Sequence, residues 1–290
     1  MRITLTAPFL LLALGLAACN RLGSGDSSPT APSGPPAAGS NIVYAAVGAS
    51  DVIGFGSSRV CVPFDDCNGN GYVWVAARAL RSRGFTVEVA QLGIPAGVIS
   101  PTFQNLGAQY GRTIGGNFLQ SEVPFVRRDA GLVTVFAGAN DVNTITAALG
   151  GGAGGSNPTA YIDQMVTAFG TDYSTLISGI RARATSARII VLNLPNLAAL
   201  PYLAGASLSQ KQAAQRAAVR ITTTIINPKA DTTVIDLMCD PRLYQASIFS
   251  SDGFHPNDSG YALLGAEIVS ALTSSSYPAP KSSCPQMTIF

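Results

Sequence analysis

Five short runs of apolar and β-branched residues alternate along the chain with longer segments whose apolar positions recur at helical spacing. The runs lie at 41–47, 85–92, 131–138, 187–195 and 232–238, and the helical segments lie at 71–84, 158–181, 208–226 and 259–272. Because the runs lack a polar alternation, each predicts a strand buried on both faces. Helices that alternate with such strands predict an α/β fold in which helices cover both sides of a mostly parallel, five-stranded sheet.

The first 40 residues have a different pattern. Arg2 precedes an apolar run from Phe9 to Ala18, which is too short to span a bilayer and is typical of an export signal. The next stretch, to residue 40, consists mostly of Gly, Ser, Pro and Ala and has little to bury, as in a flexible tether. We therefore expect a signal peptide at 1–18, a linker at 19–40 and one domain at 41–290.

The end of the signal resembles the lipobox of bacterial lipoproteins, since Leu16, Ala17 and Ala18 are followed by Cys19. The resemblance implies cleavage before Cys19, lipidation of that cysteine and anchorage to a membrane surface by its acyl chains. The expected location is the bacterial cell envelope, at the outer membrane or on the periplasmic face. An ordinary signal peptide with a chance cysteine is the alternative.

Four further cysteines are present, Cys61, Cys67, Cys239 and Cys284. An even number in a chain with an export signal predicts two disulfides. Of the three possible connectivities we favour Cys61 with Cys67, which closes a short loop, and Cys239 with Cys284, which pins the C-terminal tail to the domain. A zinc site of four cysteines is the alternative, and the lack of a C-x-x-C pair together with the export signal disfavours it.

The charge pattern excludes one class of partner. The net charge is +2 and only 12% of the residues are charged, about half the usual share. This charge balance is not typical of a nucleic-acid-binding protein, so we expect no nucleic-acid partner. The glycine run at 149–158 lacks the Gly-Lys-Ser/Thr of a phosphate-binding loop and predicts a loop that borders the site.

Candidate chemistry follows the predicted strands, because ligands of a parallel sheet bind beyond the carboxyl ends of its strands. Ser50 follows the first run, after Gly48, and Asn140 follows the third. A serine hydroxyl there can attack a carbonyl carbon, and an Asn amide can donate to an oxyanion. The glycine bend at 91–100, after the second run, lets a backbone N–H face the same cleft. Taken singly, each residue has a plainer interpretation as a helix cap or a polar turn.

His255 is the only histidine in the chain, and Asp252 precedes it by three residues just before the last predicted helix. Imidazole is the usual side chain for acid-base chemistry near neutral pH. The spacing lets the Asp252 carboxylate reach Nδ1–H while Nε2 points to Ser50. A third group that orients the base is what the logic of a catalytic triad requires.

Together these segments resemble a known family. The motifs "VGASD", "GIPAG", "FAGAND" and "SDGFHPND" are similar to the four signature blocks of the SGNH, or GDSL-type, serine esterase and lipase family, and they span Gly48 to Asp258. The last two blocks are the specific ones.

The resemblance implies a three-layer α/β/α sandwich and a carboxylic-ester hydrolase that works through an acyl-enzyme on Ser50. It implies that His255 is general base and acid, that Asp252 orients His255, and that the oxyanion hole consists of the Ser50 N–H, the Gly97 N–H and the Asn140 side chain. Neither a metal nor a cofactor is expected. The substrates implied are lipid, aryl or acetylated-sugar esters. A binding lipoprotein that keeps the fold without activity is the alternative.

Two departures from the family pattern stand out. Ala49 occupies the position of an acidic residue that normally supports the loop of the first block. The second block, usually Gly-x-x-Gly, here has one residue more, from Gly93 to Gly97. We assign its donor to Gly97, whereas an ungapped match selects Ala96.

Other hydrolases fit less well. An α/β-hydrolase needs a G-x-S-x-G elbow, which the sequence around Ser50 lacks. A glycosidase with Asp51 and Asp141 as its carboxylate pair leaves the only histidine unused. Three phenylalanines are candidates either for an acyl-binding site or for ordinary packing: Phe55, Phe103 and Phe118.

Overall fold

The computed structural model describes residues 34–63 and 66–290, and a parallel five-stranded sheet forms the centre of this part. Its strands are β1 (Asn41–Gly48), β2 (Thr86–Gln91), β3 (Leu132–Phe136), β4 (Arg188–Leu192) and β5 (Thr233–Ile235). Their order in the sheet is β2-β1-β3-β4-β5, and every neighbouring pair is parallel. All five predicted strands are present, and four of them are shorter than the apolar runs that predicted them.

Seven α-helices connect and cover the strands in the described part of the chain. They are α1 (Tyr72–Ser82), α2 (Pro101–Gln109), α3 (Phe118–Ser121), α4 (Ala139–Gly150), α5 (Pro158–Arg183), α6 (Leu208–Arg220) and α7 (Asp258–Thr273). The four predicted helical segments correspond to α1, α5, α6 and α7. The segment predicted as one helix at 208–226 is α-helical as far as Arg220 and continues as a π-helix over Ile221–Ile226.

Successive residues of each strand point into two different cores. Val47 and Val135 belong to the core that the sheet forms with α4, α5 and α6, whereas Tyr44 and Leu132 belong to the core that it forms with α1 and α7. Because both faces of the sheet are covered, the strands have no polar face and appear in the sequence as continuous apolar runs. The predicted three-layer α/β/α sandwich is therefore confirmed.

The strand order determines where a cleft opens. The connection from β1 leads through α1 to β2 on one side, and the chain then returns past β1 to form β3 on the other. Connections that diverge from two adjacent strands leave a crevice outside their carboxyl ends. The residues that follow β1 and β3 are therefore brought to the same crevice.

Two disulfides are present in the described part of the chain, one within a short loop and one between segments 45 positions apart. Cys61 is bonded to Cys67 with a Cα–Cα distance of 5.8 Å, and Cys239 is bonded to Cys284 with a Cα–Cα distance of 5.7 Å. This is the pairing favoured from the sequence. All four sulfurs are therefore in disulfides and are not available as metal-binding thiolates.

The N-terminal predictions concern residues outside the described part. The signal peptide at 1–18, Cys19 and most of the linker at 19–40 lie there, so these assignments stay predictions. Among the helices of residues 34–63 and 66–290, none combines the length and the apolar character needed to cross a membrane.

Candidate active site

Ser50 lies in a tight turn directly after β1. Gly48 makes this turn possible, since its φ is +149° and a Cβ at this position would lie 2.4 Å from the Phe136 carbonyl oxygen of the neighbouring strand. Backbone hydrogen bonds from Val52 N to Ala49 O and from Phe55 N to Ser50 O close the turn. The Ser50 side chain is thus held at the sheet edge and is only 5% exposed.

The loop before α7 holds Asp252 and His255 by its own hydrogen bonds. Ser250 N donates to His255 O at 2.8 Å, and Gly253 takes the left-handed conformation with φ +69°. Asp252 Oδ1 accepts from Ser250 Oγ, Phe254 N and His255 N at 2.8, 2.9 and 3.0 Å. One carboxylate oxygen is therefore occupied by the loop itself, which leaves the other for the imidazole.

The three side chains form a continuous hydrogen-bonded chain. Ser50 Oγ lies 2.7 Å from His255 Nε2, and His255 Nδ1 lies 2.5 Å from Asp252 Oδ2. Burial raises the pKa of Asp252, but the hydrogen bonds from His255, Phe254 and Ser250 outweigh it and hold the pKa well below its usual range. An ionised Asp252 requires a proton on Nδ1, so Nε2 of the neutral ring accepts from the Ser50 hydroxyl.

Aromatic rings restrain the imidazole from two sides. The Phe55 and Phe254 ring centroids lie 4.7 and 4.9 Å from that of His255, and the Tyr202 ring packs on Phe254 at 4.8 Å. A side chain at Gly56 would meet His255 Cβ at 2.8 Å, so the backbone approaches closely there. These contacts limit the rotation of the ring away from Ser50.

Asn140 belongs to the first turn of α4, which follows β3 through Gly138 with φ +119°. Its Nδ2 donates to Gly97 O at 3.1 Å, and its Oδ1 accepts from Arg112 at 3.3 Å. A carbonyl only accepts and a guanidinium only donates, so both partners require the same orientation of the amide. The second Nδ2–H is left for a substrate oxygen.

The second sequence block differs from the expectation. Gly97 N donates to Ile94 O at 2.9 Å inside the turn, so this N–H is not available, and Ala96 rather than Gly97 lines the cavity beside Ser50. Ala96 has φ +55°, and its N–H has no acceptor among the described residues. The extra residue of this block thus leaves the Gly97 N–H bonded within the turn and the Ala96 N–H beside the cavity, which favours Ala96 over Gly97 as the donor.

The comparisons with known proteins agree with this geometry. The model of the GDSL-like lipase/acylhydrolase family matches residues 46–263. The chain belongs to this family. It is a carboxylic-ester hydrolase, as the motifs predicted. No curated protein sequence matches it.

Two solved structures of lipases share the fold of this GDSL hydrolase. Lip_vut3 from a goat rumen metagenome is 16% identical with a TM-score of 0.54, and the match covers 79% of this chain and 97% of that one. An extracellular lipase from Streptomyces rimosus is 18% identical with a TM-score of 0.52, over 81% of this chain and 100% of that one.

A buried glutamate from a distant segment forms a hydrogen bond to the backbone of the first signature block. Glu122 Oε2 accepts the Gly48 N–H at 2.8 Å, and the residue is fully buried. The GDSL hydrolase has Ala49 where the family has an acid, and Glu122 brings a carboxyl group to this turn from a segment 74 positions away. The sequence analysis missed this residue, although a lone acid within the apolar segment at 118–126 was a signal.

Asp51 and Asp141 do not form a catalytic pair. Both are buried, and neither is among the described residues that line the cavity. Asp141 Oδ1 accepts the Ile99 N–H at 3.0 Å, and burial raises the pKa of Asp141 to about 7. The alternative of a glycosidase therefore lacks a pair of carboxyl groups that line the cavity.

The cleft of the GDSL hydrolase is a cavity of about 650 Å³. It is lined by Ser50, Phe55, Pro95, Ala96, Arg112, Asn140, Asn143, Thr146, Ala147, Gly150, Tyr202, Gln210, Asp252, Phe254 and His255. Of the three candidate phenylalanines only Phe55 is present, since Phe103 and Phe118 are buried in the core. Of the run at 149–158, which predicted a loop beside the site, Gly150 lines the cavity, and it is the last residue of α4.

Proposed function

We propose that the protein cleaves carboxylic esters through an acyl-enzyme on Ser50. The observation that supports this most directly is the 2.7 Å contact between Ser50 Oγ and His255 Nε2. His255 takes the proton of the Ser50 hydroxyl as Oγ bonds to the ester carbonyl carbon, and the carbonyl oxygen becomes an oxyanion. His255 then gives this proton to the departing alkoxide, which leaves as the alcohol while the C–O bond breaks.

Deacylation repeats the same proton transfers with water. His255 removes a proton from a water molecule whose oxygen attacks the acyl carbon, and the proton returns to Ser50 Oγ as the acid leaves. Asp252 keeps its negative charge through both steps and stabilises the imidazolium that forms each time. Its depressed pKa is consistent with this role.

Three N–H donors are available for the oxyanion in this proposal. They are the free Nδ2–H of Asn140, the backbone N–H of Ala96 and the backbone N–H of Ser50. Donors that are already in place before the reaction need no reorganisation when the charge develops, and each contributes a factor of roughly 10²–10³ in rate.

Labelling with a fluorophosphonate probe tests the nucleophile. We expect labelling of the wild-type protein and of Ser178→Ala, which changes an exposed serine of α5, and no labelling of Ser50→Ala. A folded wild-type protein that does not react would favour the alternative of a binding lipoprotein without catalysis. The rates on p-nitrophenyl esters of increasing chain length, compared with acetylated xylan, distinguish lipid, aryl and acetylated-sugar esters as substrates.

We further propose that acyl chains on Cys19 tether the domain in the bacterial cell envelope, at the outer membrane or on the periplasmic face. The proposal is supported by the lipobox-like sequence at 16–19 and the linker that follows it. In a bacterial host, labelled palmitate should enter the wild-type protein but not Cys19→Ser, and only the wild type should sediment with membranes. Export of an unlabelled, soluble wild-type protein would favour an ordinary signal peptide.

A further inference from the structure

Arg112 is the basic residue that lines the active-site cavity. It follows α2, where Gly111 with φ +75° turns the chain and Arg112 N donates to Gly107 O at 2.9 Å. One terminal nitrogen of its guanidinium donates to Asn140 Oδ1 at 3.3 Å. The charge therefore lies directly behind one of the proposed oxyanion donors.

Arg112 forms no ion pair within 4 Å among the described residues, and the carboxyl group that interacts with its charge is that of buried Asp141, which does not line the cavity. The arginines that form ion pairs there are Arg127, Arg216, Arg220 and Arg242. Arg112 Nε is buried and has no hydrogen-bond partner in residues 34–63 and 66–290. The second terminal nitrogen of the guanidinium has no hydrogen-bond partner among the described residues. A partly desolvated guanidinium with an unused terminal donor favours an anionic ligand.

The neighbouring wall of the cavity also presents donors. Tyr202 Oη donates to Asn143 Oδ1 at 2.9 Å, and Asn143 Nδ2 has no acceptor among the described residues. Gln210 Oε1 accepts from Ser207 N at 3.2 Å, and no residue of the described part of the chain accepts from Gln210 Nε2. Asp252 is the acid among the cavity-lining residues, and its oxygens are already occupied by His255, Ser250 and the loop backbone.

We propose that Arg112 makes the enzyme selective for esters that carry an anionic group, a carboxylate or a phosphate, several bonds from the scissile carbonyl. The proposal rests on the proposed function, because the anion must belong to an ester bound at Ser50 and Asn140. Arg112 acts here as a specificity-determining residue, in addition to its contact with the Asn140 amide.

The readout is the ratio of kcat/KM for an anionic ester to kcat/KM for a neutral ester of the same length. One arm compares mono-p-nitrophenyl esters of dicarboxylic acids, from succinate to pimelate, with p-nitrophenyl esters of the matching monocarboxylic acids. The other arm compares 1-acylglycerol 3-phosphate with the corresponding monoacylglycerol. The first arm detects a carboxylate on the acyl side, and the second detects a phosphate on the alcohol side.

For the wild-type enzyme we expect a ratio above about 10 in at least one arm. In Arg112→Gln this ratio should fall by roughly 10- to 100-fold, because the variant loses a charge-assisted hydrogen bond to the anion. If Arg112→Gln acted only by disturbing the Asn140 amide, kcat/KM for the anionic and the neutral ester would fall by the same factor, and their ratio would not change. Arg112→Lys should keep an intermediate ratio. The control is Arg128→Gln, which removes the same charge from an exposed arginine near the amino end of β3 and should keep the wild-type ratio.

A wild-type ratio near one in both arms would overturn the proposal, and so would an equal ratio in the wild type and Arg112→Gln. If Arg112→Gln does not fold, the salt dependence of the wild type decides, because the ratio must fall as ionic strength rises. A wild-type enzyme that cleaves neutral esters without this preference refutes the selectivity alone. An enzyme that cleaves none of these esters refutes the proposed function.

Discussion

The carboxyl group of Glu122 accepts a hydrogen bond from the backbone N–H of Gly48 at 2.8 Å, across 74 positions of the chain. Gly48 precedes the turn that presents Ser50, so this contact links the segment before β3 to the position of the serine hydroxyl. Burial raises the pKa of Glu122 well above its ordinary value, although the N–H groups of Gly48 and Ile94 oppose the shift. The turn is thus supported by a carboxyl group whose burial disfavours its charged form.

The hydrogen bond to Gly48 predicts different effects for two substitutions of Glu122. Glu122→Gln keeps an acceptor oxygen of the same reach, so kcat should stay within about threefold of the wild type. Glu122→Leu leaves the buried Gly48 N–H unpaired, which should cost about 1–3 kcal/mol of stability and lower kcat. Urea unfolding and ester hydrolysis measure both. Wild-type stability and kcat in Glu122→Leu would show that the contact does not support the turn.

Replacement of Asn140 by alanine tests the oxyanion hole. Asn140→Ala removes one proposed donor while Ser50, His255 and Asp252 stay in place, so kcat should fall by roughly 10²- to 10³-fold. Asn105→Ala, at an exposed position of α2, is the control and should leave kcat unchanged. If Asn140→Ala is folded and fully active, the oxyanion is bound elsewhere.

Asp141 predicts a specific dependence of stability on pH. Burial raises the pKa of Asp141 to about 7, so between about pH 4 and 7 the folded protein keeps a proton that the unfolded chain has lost. This group therefore makes the protein less stable as the pH rises through that window. Asp141→Asn does not ionise and keeps an acceptor for Ile99 N, so its stability relative to the wild type should increase by roughly 2–4 kcal/mol from pH 4.5 to 7.5.

Urea unfolding of both proteins at the two pH values measures this difference. An Asp141→Asn variant whose stability differs from that of the wild type by the same amount at both values would contradict the raised pKa.

The two disulfides should differ in their effect on stability. Cys239 and Cys284 are 45 positions apart, whereas Cys61 and Cys67 are 6 apart. A bond that closes a longer loop removes more entropy from the unfolded chain, so the double replacement of Cys239 and Cys284 by serine should cost about 2–4 kcal/mol. The same replacement of Cys61 and Cys67 should cost less. Equal losses in chemical unfolding would be inconsistent with this account.

Gly48 should not tolerate a side chain. In Gly48→Ala the new Cβ would lie 2.4 Å from the Phe136 carbonyl oxygen, so β1 and β3 must separate at the active site. We expect a loss of about 1–3 kcal/mol in stability and a large loss of kcat. Gly205→Ala is the matched control, because no atom lies within 4 Å of the added Cβ. Thermal unfolding and hydrolysis rates that are equal in the two variants would contradict the prediction.

Local pattern was sufficient for much of the fold. The five strands and four of the helices follow from periodicity, because burial on both faces or along one stripe leaves a signal within a few residues. α2, α3 and α4 were missed. The first turn of α4 contains Asn140 and Asp141, which on their own are typical of a turn, and in the structure α4 packs against α6 and α2. Intrinsic preference is weak, and tertiary contacts override it.

The sequence by itself determined the α/β class, the chain order of the four candidate site residues and the resemblance to the family, since strands, helices and signature blocks are each short local patterns. The candidate site residues are Ser50, Asn140, Asp252 and His255. Only the tertiary structure decided that Ala96 rather than Gly97 lines the cavity, that Glu122 supports the first block, and that Arg112 lies behind Asn140. These relationships join segments that the order of the strands brings together. Their energies depend on packing and burial, which no local pattern of residues encodes.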